Sequence, residues 1–317
     1  MPAPEGNQHA KFKRLVEQAQ KHDPAVTAIA HPCDKVSLES AVEAQKMRLI
    51  TPILVGQKDK IKQAAAEAGI DLAGIEIVDA EHSHDAAAKA VALVREGRAE
   101  ALMKGSLHTD ELMSAVVARD TGLRTGRRIS HCFIMDVPDH ANALIITDAA
   151  VNIAPDLKTK IDITQNAIDL AHAMGLKQPL VAILSAMETV NPDVPSTIEA
   201  AALCKMADRG QITGGLLDGP FALDNAISPE AAAVKKIVSP VAGKADILVV
   251  PDLESGNMLA KSLSFLAGAD AAGIVLGAKV PIILTSRADS LLTRLASCAV
   301  ALMLVAARRA KLEGAIA

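Results

Sequence analysis

The sequence alternates between short apolar runs and longer segments with helical spacing, and this alternation limits the possible folds more than any other feature. In the first third of the chain the apolar runs are residues 26–30, 52–55, 75–78 and 101–103, and the helical segments between them are 35–47, 58–68 and 85–95. Short turns join neighbouring segments, and repeated strand–helix alternation of this kind predicts a parallel sheet covered by helices. The predicted fold class is therefore α/β.

A different pattern interrupts the alternation near the middle of the chain. Residues 132–135 and 143–147 are apolar runs joined by a segment too short for a helix, which predicts an antiparallel hairpin. Alternation then resumes, with predicted helices at 158–174, 197–208, 229–238 and 255–266 and predicted strands at 180–184, 213–217 and 247–250. Since 317 residues exceed the usual size of one core, we expect two α/β domains with a boundary near residues 125–130.

Composition excludes several classes of function. The chain has no Trp or Tyr and only 4 Phe, so it lacks the aromatic platform on which the bases of single-stranded nucleic acids stack. Its formal net charge of −4 provides no basic surface for a nucleic acid. The 4 cysteines are scattered without paired spacing, which indicates reduced thiols rather than a disulfide framework or a zinc site.

Hydropathy favours a protein that acts away from the membrane. The N-terminal residues are polar and lack the apolar core of a signal peptide. The apolar run 295–307 is about 13 residues long, whereas a membrane span needs ~20 residues, so we interpret it as a helix buried in the core or at a subunit interface. We therefore expect a cytoplasmic protein that binds neither membrane nor nucleic acid.

Two strand–turn–helix passages follow one another in the last quarter of the chain. The first turn contains Gly256 and Asn257, with Lys261 one helical turn later, and the second turn contains Ser286 and Arg287. Ligands of parallel sheets bind beyond the carboxyl ends of the strands, where such turns lie. Hydroxyl groups, an arginine and a helix N-terminus at this edge suit an anionic ligand.

These turns belong to the stretch GNMLAKSLSFLAGADAAGIVLGAKVPIILTSRADS, residues 256–290, which resembles the signature region of the phosphate acetyltransferase and phosphate butyryltransferase family. The resemblance extends upstream through four segments: MKGSLHT (103–109), RTGRRISHCFIMD (124–136), ITDAAVN (146–152) and LLDGPFALDNAIS (216–228). Because the segments occur in order over most of the chain, the resemblance is more specific than any single motif.

The resemblance implies a fold and a reaction. The implied fold has two α/β domains with a cleft between them, as in isocitrate and isopropylmalate dehydrogenases, with domain I formed by 1–128 plus 275–317 and domain II by 129–274. The implied reaction is reversible acyl transfer between acetyl-CoA and inorganic phosphate, giving acetyl phosphate and CoA by direct thiolate attack in a ternary complex. Coenzyme A is then a substrate, no tightly bound cofactor is expected, and the family is generally homodimeric.

The resemblance also implies roles for the residues of the second turn. Ser286 is implied to hydrogen-bond the reacting acyl phosphate and Arg287 to bind phosphate, which a planar guanidinium contacts at two points. In the acetyltransferase branch an Asp seven residues after this Ser takes the thiol proton, but here that position is Thr293, which cannot act as a base at neutral pH. Asp289 is the candidate base, or alternatively the N-cap of the last helix.

Four further candidates for substrate binding lie at strand ends or near the domain boundary. Lys104 and Gly105 follow the predicted strand 101–103, where backbone N–H groups can approach an anion. Arg128 lies near the boundary, where a cation can hold the phosphates of a coenzyme, and Ser185 ends the strand 180–184. For each of these four residues the alternative is a role without substrate, as part of a turn, as a brace of a loop or as a side chain exposed to solvent.

Two other polar groups have competing interpretations. The segment EHSHD at 81–85 has metal-ligating residue types, but it precedes an Ala-rich helix, so we interpret it as a capping loop and assign no metal. Asp148 and Asn152 follow the predicted hairpin, where they either line the cleft or brace loops.

Three alternatives to an acetyltransferase remain open on the sequence. In the first alternative the acyl chain is butyryl or another short chain, because the form SRADS resembles the butyryltransferase branch. The second alternative is a non-catalytic CoA-binding protein, because Thr293 stands where an Asp is expected. The third is a dehydrogenase of the same fold, against which the sequence shows no G-x-G-x-x-G after the first strand.

Overall fold

A computed structural model describes residues 9–138, 140–285 and 289–316. The predicted catalytic residues Ser286 and Arg287 therefore lie outside the described residues. The strands are β1 (Ala25–Ala30), β2 (Ile50–Gly56), β3 (Glu76–Asp79), β4 (Ala101–Lys104), β5 (Ser130–Asp136), β6 (Leu144–Thr147), β7 (Leu180–Leu184), β8 (Leu216–Phe221), β9 (Ile247–Val249), β10 (Asp270–Leu276) and β11 (Ile282–Ile283).

Helices separate most of these strands, as the sequence alternation predicts. They are α1 (Ala10–Ala19), α2 (Lys35–Lys46), α3 (Lys58–Ala68), α4 (Ser83–Arg95), α5 (Thr109–Val117), α6 (Leu157–Ala173), α7 (Pro195–Asp208), α8 (Leu223–Ile227), α9 (Pro229–Val234), α10 (Leu253–Leu266) and α11 (Leu291–Ile316). The predicted α/β class is confirmed. The bounds of α3 match the prediction because Gly69, in the left-handed conformation with φ +66°, ends the helix.

The chain divides into two units, which are described separately. Unit I contains Phe12–Arg127 and the described residues from Ala272 onward, and unit II contains Arg128–Ala271 with the described residues before Phe12. The predicted domain I included the N-terminal residues, whereas the structure groups His9–Lys11 with unit II. The reason is local, because the Lys11 ammonium donates to the Asp136 carboxylate and to the Val137 carbonyl, both at 2.7 Å.

The sheet of unit I has the strand order β3-β2-β1-β4-β11-β10. All neighbouring strands are parallel except β10, which runs antiparallel to β11. The register places Ala30 of β1 beside Lys104 of β4, and Met103 of β4 beside Ile283 of β11. The carboxyl ends of β1, β4 and β11 therefore lie at one edge of this sheet.

The last helix, α11, belongs to the core of unit I. It is long and apolar enough to cross a membrane, but 67% of its apolar window is buried inside the structure. Its apolar side chains, such as Leu295, Val300 and Leu302, are buried against α2, β1, β4 and β11 of the same unit. Of the two sequence interpretations, a helix in the core or a helix at an interface, the structure has the first.

The sheet of unit II has the strand order β5-β6-β9-β7-β8. Strands β6, β9, β7 and β8 are parallel, and β5 is antiparallel to β6, so the predicted hairpin is confirmed. The residue before β5 and the carboxyl ends of the parallel strands therefore share one edge. Buried side chains fill the core beneath α10, including Met135, Ile146, Leu248 and Ala260.

Three predictions about local structure are wrong. The strand predicted at 213–217 is displaced to Leu216–Phe221, so that the segment Asp218-Gly219-Pro220 lies inside β8 rather than after it. The turn predicted before α10 is shorter, because Asp252 caps the helix and places Gly256 and Asn257 in its first turns. The sequence analysis also missed α5 and β10.

Candidate active site

Gly105 allows the turn after β4 to approach the end of β1 closely. Its N–H donates to the Ala30 carbonyl at 2.9 Å, and a Cβ atom at this position would lie 2.5 Å from that oxygen and 2.7 Å from the His31 carbonyl oxygen. Ser106 completes the connection, because its N–H and its hydroxyl both donate to the His31 carbonyl, at 2.9 and 2.7 Å. A side chain at Gly105 would therefore separate the two turns.

The Lys104 ammonium lies over the same turn. It donates to the carbonyl oxygens of Gly105 at 3.2 Å and Leu107 at 3.1 Å, so in this structure it stabilises its own loop. The prediction that Lys104 and Gly105 contact substrate stays a prediction. A substrate that binds the Lys104 ammonium has to replace these two hydrogen bonds or be added to them.

Ser290, not Asp289, caps the N-terminus of α11. The Thr293 N–H donates to the Ser290 hydroxyl oxygen at 3.1 Å, and that hydroxyl in turn donates to the Thr293 hydroxyl oxygen at 3.2 Å. Thr293 is buried and engaged in the first helical turn, which is consistent with its unsuitability as a base. The alternative interpretation of Asp289 as the N-cap is therefore wrong, and its half-buried side chain lies just before the helix.

Arg294 is a buried cation that the sequence analysis did not single out. Its side chain is 7% exposed, its Nη1 donates to the Asp289 carbonyl at 2.6 Å, and its buried Nε has no hydrogen-bond partner among the described residues. Burying a guanidinium is costly unless it is paired. The available sequence signal was an arginine within the first turn of an otherwise apolar helix.

In unit II, Asp148 braces the loop that follows β6. Its carboxylate accepts the N–H groups of Ala150 at 3.0 Å, Val151 at 3.1 Å and Asn152 at 3.1 Å, and also the Asn152 side-chain amide at 2.5 Å. The same amide donates to the Ile129 carbonyl at 2.9 Å. Both polar residues therefore hold the loop together, which is the bracing alternative of the sequence analysis.

The start of α10 packs directly on this braced loop. A Cβ atom at Gly256 would lie 2.7 Å from Val250 Cγ2 and 2.9 Å from the Ala149 Cβ, so the close approach requires glycine. The Asn257 amide donates to the Ala149 carbonyl at 3.2 Å. Lys261, one turn later, is exposed. Gly256 and Asn257 therefore position the helix, while Lys261 extends from it.

Arg128 and Ser185 lie at the same edge of unit II. The Arg128 backbone is held by α6, since its N–H donates to the Asp162 carboxylate at 2.9 Å and its carbonyl accepts the Asn166 amide at 3.0 Å, whereas its side chain is exposed. The Ser185 hydroxyl is 2.8 Å from the Ser196 hydroxyl of α7. A fixed backbone with an exposed guanidinium suits the capture of an anion at Arg128.

His131 in β5 is a buried neutral histidine. Its side chain is 3% exposed, Nδ1 has no hydrogen-bond partner, and its ring lies 4.4 Å from that of Phe133 in an edge contact. Burial lowers the pKa of His131 to about 4, against the opposing effect of the nearby Asp148 carboxylate. It is therefore uncharged at neutral pH.

The segment 81–85 acts as a helix cap. The His82 Nδ1 accepts the Asp85 N–H at 3.1 Å, and the Asp85 carboxylate accepts the Glu81 N–H at 2.9 Å, both at the start of α4. The capping interpretation of this segment is confirmed. Within the described ranges no group of three or more His, Cys, Asp or Glu residues is arranged to hold a metal ion.

Comparison with known proteins identifies the family. The family model of phosphate acetyl/butaryl transferase matches residues 11–87 and 81–302. The chain belongs to this family. It is 67% identical over 309 residues to the phosphate acetyltransferase of Rhizobium meliloti, covering 98% of each chain. It is 41% identical over 290 residues to the phosphate butyryltransferase of Clostridium acetobutylicum, covering 92% of this chain and 96% of that one.

Solved structures agree with this membership. A branched-chain phosphotransacylase from Enterococcus faecalis V583 matches with a TM-score of 0.78 and 32% identity, over 88% of this chain and 99% of that one. A 4-hydroxythreonine-4-phosphate dehydrogenase from Klebsiella pneumoniae matches with a TM-score of 0.55 and 13% identity, over 89% of this chain and 100% of that one, and shows the fold alone. The chain is therefore an acyltransferase of the phosphate acetyl/butaryl transferase family whose fold also occurs in a dehydrogenase.

The predicted site residues of this family member fall into two groups in the structure. Lys104, Gly105 and Asp289 belong to unit I, and Arg128, Ser185, Gly256, Asn257 and Lys261 belong to unit II. Within unit II, Gly256 and Asn257 contact the loop after β6, as described above. The predicted groove that joins the serine–arginine turn to the glycine–asparagine–lysine turn stays a prediction.

Proposed function

We propose that the protein is a phosphate acetyltransferase, which reversibly transfers the acetyl group between acetyl-CoA and inorganic phosphate. The observation that carries the proposal is the 67% identity, over nearly the whole length of both chains, to a phosphate acetyltransferase. Identity to a phosphate butyryltransferase is lower, at 41%. Acetyl-CoA, phosphate and acetyl phosphate are then the substrates and products, and no tightly bound cofactor is needed.

The chemistry requires activation of a thiol and stabilisation of developing negative charge. A thiol with a pKa near 8.5 must lose its proton before it attacks the acetyl phosphate carbonyl. Arg287 binds the departing phosphate and Ser286 holds the oxygen on which charge develops. Holding both substrates in one complex supplies much of the remaining rate enhancement without a covalent enzyme intermediate.

Asp289 is the proposed general base. Thr293, at the position where an Asp is expected, is buried and hydrogen-bonded to Ser290, the N-cap of α11. Asp289 does not serve as the cap, and its backbone carbonyl accepts a hydrogen bond from Arg294 Nη1 at 2.6 Å.

Two exposed cations of unit II are proposed to bind the phosphates of CoA. Arg128 and Lys261 both have exposed side chains. The Arg128 backbone is held by side chains of α6, and Lys261 lies within α10. Gly256 and Asn257 position the helix from which Lys261 extends, and Ser185 together with Lys104 and Gly105 completes the proposed set of substrate-binding residues.

The experiment that tests this function is a thioester assay in the presence of phosphate, with acetyl-, butyryl- and isobutyryl-CoA compared by kcat/KM. We expect acetyl-CoA to be preferred. A preference for butyryl-CoA would assign the chain to the butyryltransferase branch, which the SRADS sequence also resembles. CoA binding without phosphate-dependent thioester cleavage would indicate a non-catalytic protein, and turnover of NAD would indicate a dehydrogenase.

We further propose a cytoplasmic homodimer that associates through α10. The apolar face of α11 is covered within its own unit, whereas α10 exposes Met258, Phe265 and Leu266, by 63%, 86% and 86%. Phe265 and Leu266 lie in the last turn of the helix, and the proposed interface is centred on them rather than on the turn that carries Lys261. Sedimentation analysis of Phe265→Glu tests this: a dimer that becomes monomeric supports the interface on α10, and an unchanged dimer contradicts it.

A further inference from the structure

The turn after β1 contains a histidine and a cysteine that the proposed mechanism does not use. His31 has φ +54°, in the left-handed region that non-glycine residues rarely adopt. Its N–H donates to the Val55 carbonyl at 2.7 Å, and its carbonyl accepts both donors of Ser106. Strained backbone that is held in this way is concentrated at functional sites.

Cys33 lies next to one of the two ring nitrogens of His31. The Cys33 Sγ atom lies 3.6 Å from His31 Nδ1, and the Gln57 N–H donates to the sulfur from the other side. Burial raises the pKa of Cys33, so the thiol keeps its proton, and burial together with Lys60 lowers the pKa of His31, so the imidazole is neutral. A neutral imidazole has one donor and one acceptor. If the thiol donates to Nδ1, Nε2 is the donor of the ring, and this is the tautomer on which the proposal below rests.

The position of this imidazole suits a ligand. His31 lies at the carboxyl end of β1, beside the close approach of Gly105, at the edge where parallel sheets bind their ligands. Within the described part of the chain its Nε2 makes no hydrogen bond. Lys60 is the cation that acts on His31, and the two carboxylates that oppose it are those of Glu111 and Asp34. The Glu111 carboxylate accepts the Ser83 hydroxyl and the His108 N–H, and the Asp34 carboxylate accepts the Ser37 N–H.

We propose that His31 donates a hydrogen bond from Nε2 to a phosphoryl oxygen of a substrate, and that Cys33 is the positioning residue that sets its tautomer. This inference rests on the proposed function, because that function supplies two phosphoryl-bearing substrates. An N–H donor beside an ammonium matches the charge of a phosphoryl oxygen. Inorganic phosphate and the phosphates of CoA share this chemistry, and the experiment below separates them.

The test compares two substitutions of His31 in the full chain. Asn tolerates the left-handed conformation, but its side-chain amide reaches only the position of Nδ1. The Gln side chain is longer and places an N–H donor near the position of Nε2. We expect His31→Asn to raise one KM roughly 10- to 100-fold, as for a lost hydrogen bond to a charged group, and His31→Gln to lose less. His22→Asn, an exposed histidine before the start of the same strand, is the matched control and should change neither KM.

The KM that rises identifies the ligand. A higher KM for phosphate assigns the contact to inorganic or acetyl phosphate. A higher KM for acetyl-CoA assigns it to the coenzyme, provided that the increase is smaller when the 3′-dephospho analogue is the substrate. Unchanged values for both substrates in His31→Asn, or equal losses in the Asn and Gln variants, would overturn the proposal.

A spectroscopic measurement tests the tautomer without relying on activity or on folding of a variant. In ¹⁵N-histidine-labelled wild-type protein, we expect the His31 signals of a neutral Nε2–H imidazole, with Nε2 shifting when inorganic phosphate or CoA is added. Cys33→Ala should mix the tautomers. An Nδ1–H tautomer, or no shift with either ligand, would exclude the proposed contact. If the wild-type protein lacks acyltransferase activity but shows these shifts, the proposed function fails and the anion contact stands.

Discussion

The ligand-binding edges of the two sheets are built by different means. In unit II polar side chains hold the loops, with Asp148 binding three backbone N–H groups and Asn257 binding the Ala149 carbonyl. In unit I the backbones themselves meet, through Gly105 and a left-handed His31. The difference shows that a polar residue at a strand end is not by itself a ligand-binding residue.

This comparison separates supporting residues from residues available to bind. In unit II the polar residues closest to the sheet are engaged with the backbone, and the exposed cations Arg128 and Lys261 extend beyond them. In unit I the Lys104 ammonium and the Ser106 hydroxyl hold the backbone of the two turns, and the half-buried imidazole of His31 is the side chain that we propose to face a ligand. The predictions below test this assignment.

Removing the central brace of unit II should have the largest effect. Asp148→Ala leaves three partly buried backbone N–H groups without their acceptor, and we expect the free energy of unfolding to fall by about 3–5 kcal/mol in urea titrations. Asp252→Ala, which removes only the N-cap of α10, should cost about 1 kcal/mol. Equal losses in the two variants would show that Asp148 is an ordinary cap rather than a brace.

The buried histidine of unit II should make stability depend on pH. The pKa of His131 is about 4 in the folded protein, against an ordinary value of 6.5 for an exposed histidine, so the unfolded chain binds the extra proton between these two pH values. The free energy of unfolding should therefore fall as the pH drops from 6.5 to 4, by up to about 3 kcal/mol. Urea titrations of wild type and His131→Gln at several pH values isolate this contribution. The same slope in both proteins would contradict it.

Arg287 should contribute to catalysis as the phosphate-binding residue. We expect Arg287→Ala to lower turnover by at least ~10²-fold, as for the loss of a preorganised charge-stabilising donor. Arg287→Lys should restore little, since an ammonium cannot contact phosphate at two points. The measurement is kcat in the thioester assay, and unchanged activity in the Ala variant would remove Arg287 from the site.

The backbone contact of unit I should depend on the absence of a side chain. Gly105→Ala places a methyl group within 2.5 Å of a carbonyl oxygen, and we expect the free energy of unfolding to fall by about 1–3 kcal/mol. Gly126→Ala is the control, because no heavy atom lies within 4 Å of a Cβ there and its φ is ordinary, so its effect should stay within about 0.5 kcal/mol. Thermal unfolding measures both, and a neutral Gly105→Ala would show that the turn can move.

The smallest effect should come from an exposed cation. Lys261→Ala should raise KM for acetyl-CoA roughly 2- to 5-fold, the range of a single exposed ion pair, and leave the melting temperature unchanged. The increase should shrink at high salt because ions screen exposed charges. A loss of stability without a change in KM would instead place Lys261 among the supporting residues.

Much of the fold follows from local patterns in the sequence. The spacing of apolar residues predicts α3, β7 and the β5–β6 hairpin because each depends on neighbours along the chain. The displaced β8 shows the limit of this approach. Its Asp218-Gly219-Pro220 segment has the residue types of a turn, and pairing with β7 nevertheless places it in the sheet.

The site was less predictable than the fold. The sequence places Gly256 at a ligand-binding edge, but its close approach is to Val250 and Ala149, which belong to other parts of the chain. Arg294 and His31 were not recognised, since burial of the first and the left-handed backbone of the second leave almost no local signal.

The amino-acid sequence by itself determined the alternation of strands and helices, the membership in a family of acyltransferases, and the residue types at each strand end, because these depend on neighbours a few positions apart. Only the tertiary structure decided which of those residues support loops and which are available to a ligand. Hydrogen-bond partners such as Asn257 with Ala149, or His31 with Ser106, are determined by how distant segments pack, and burial then affects the charge of each group.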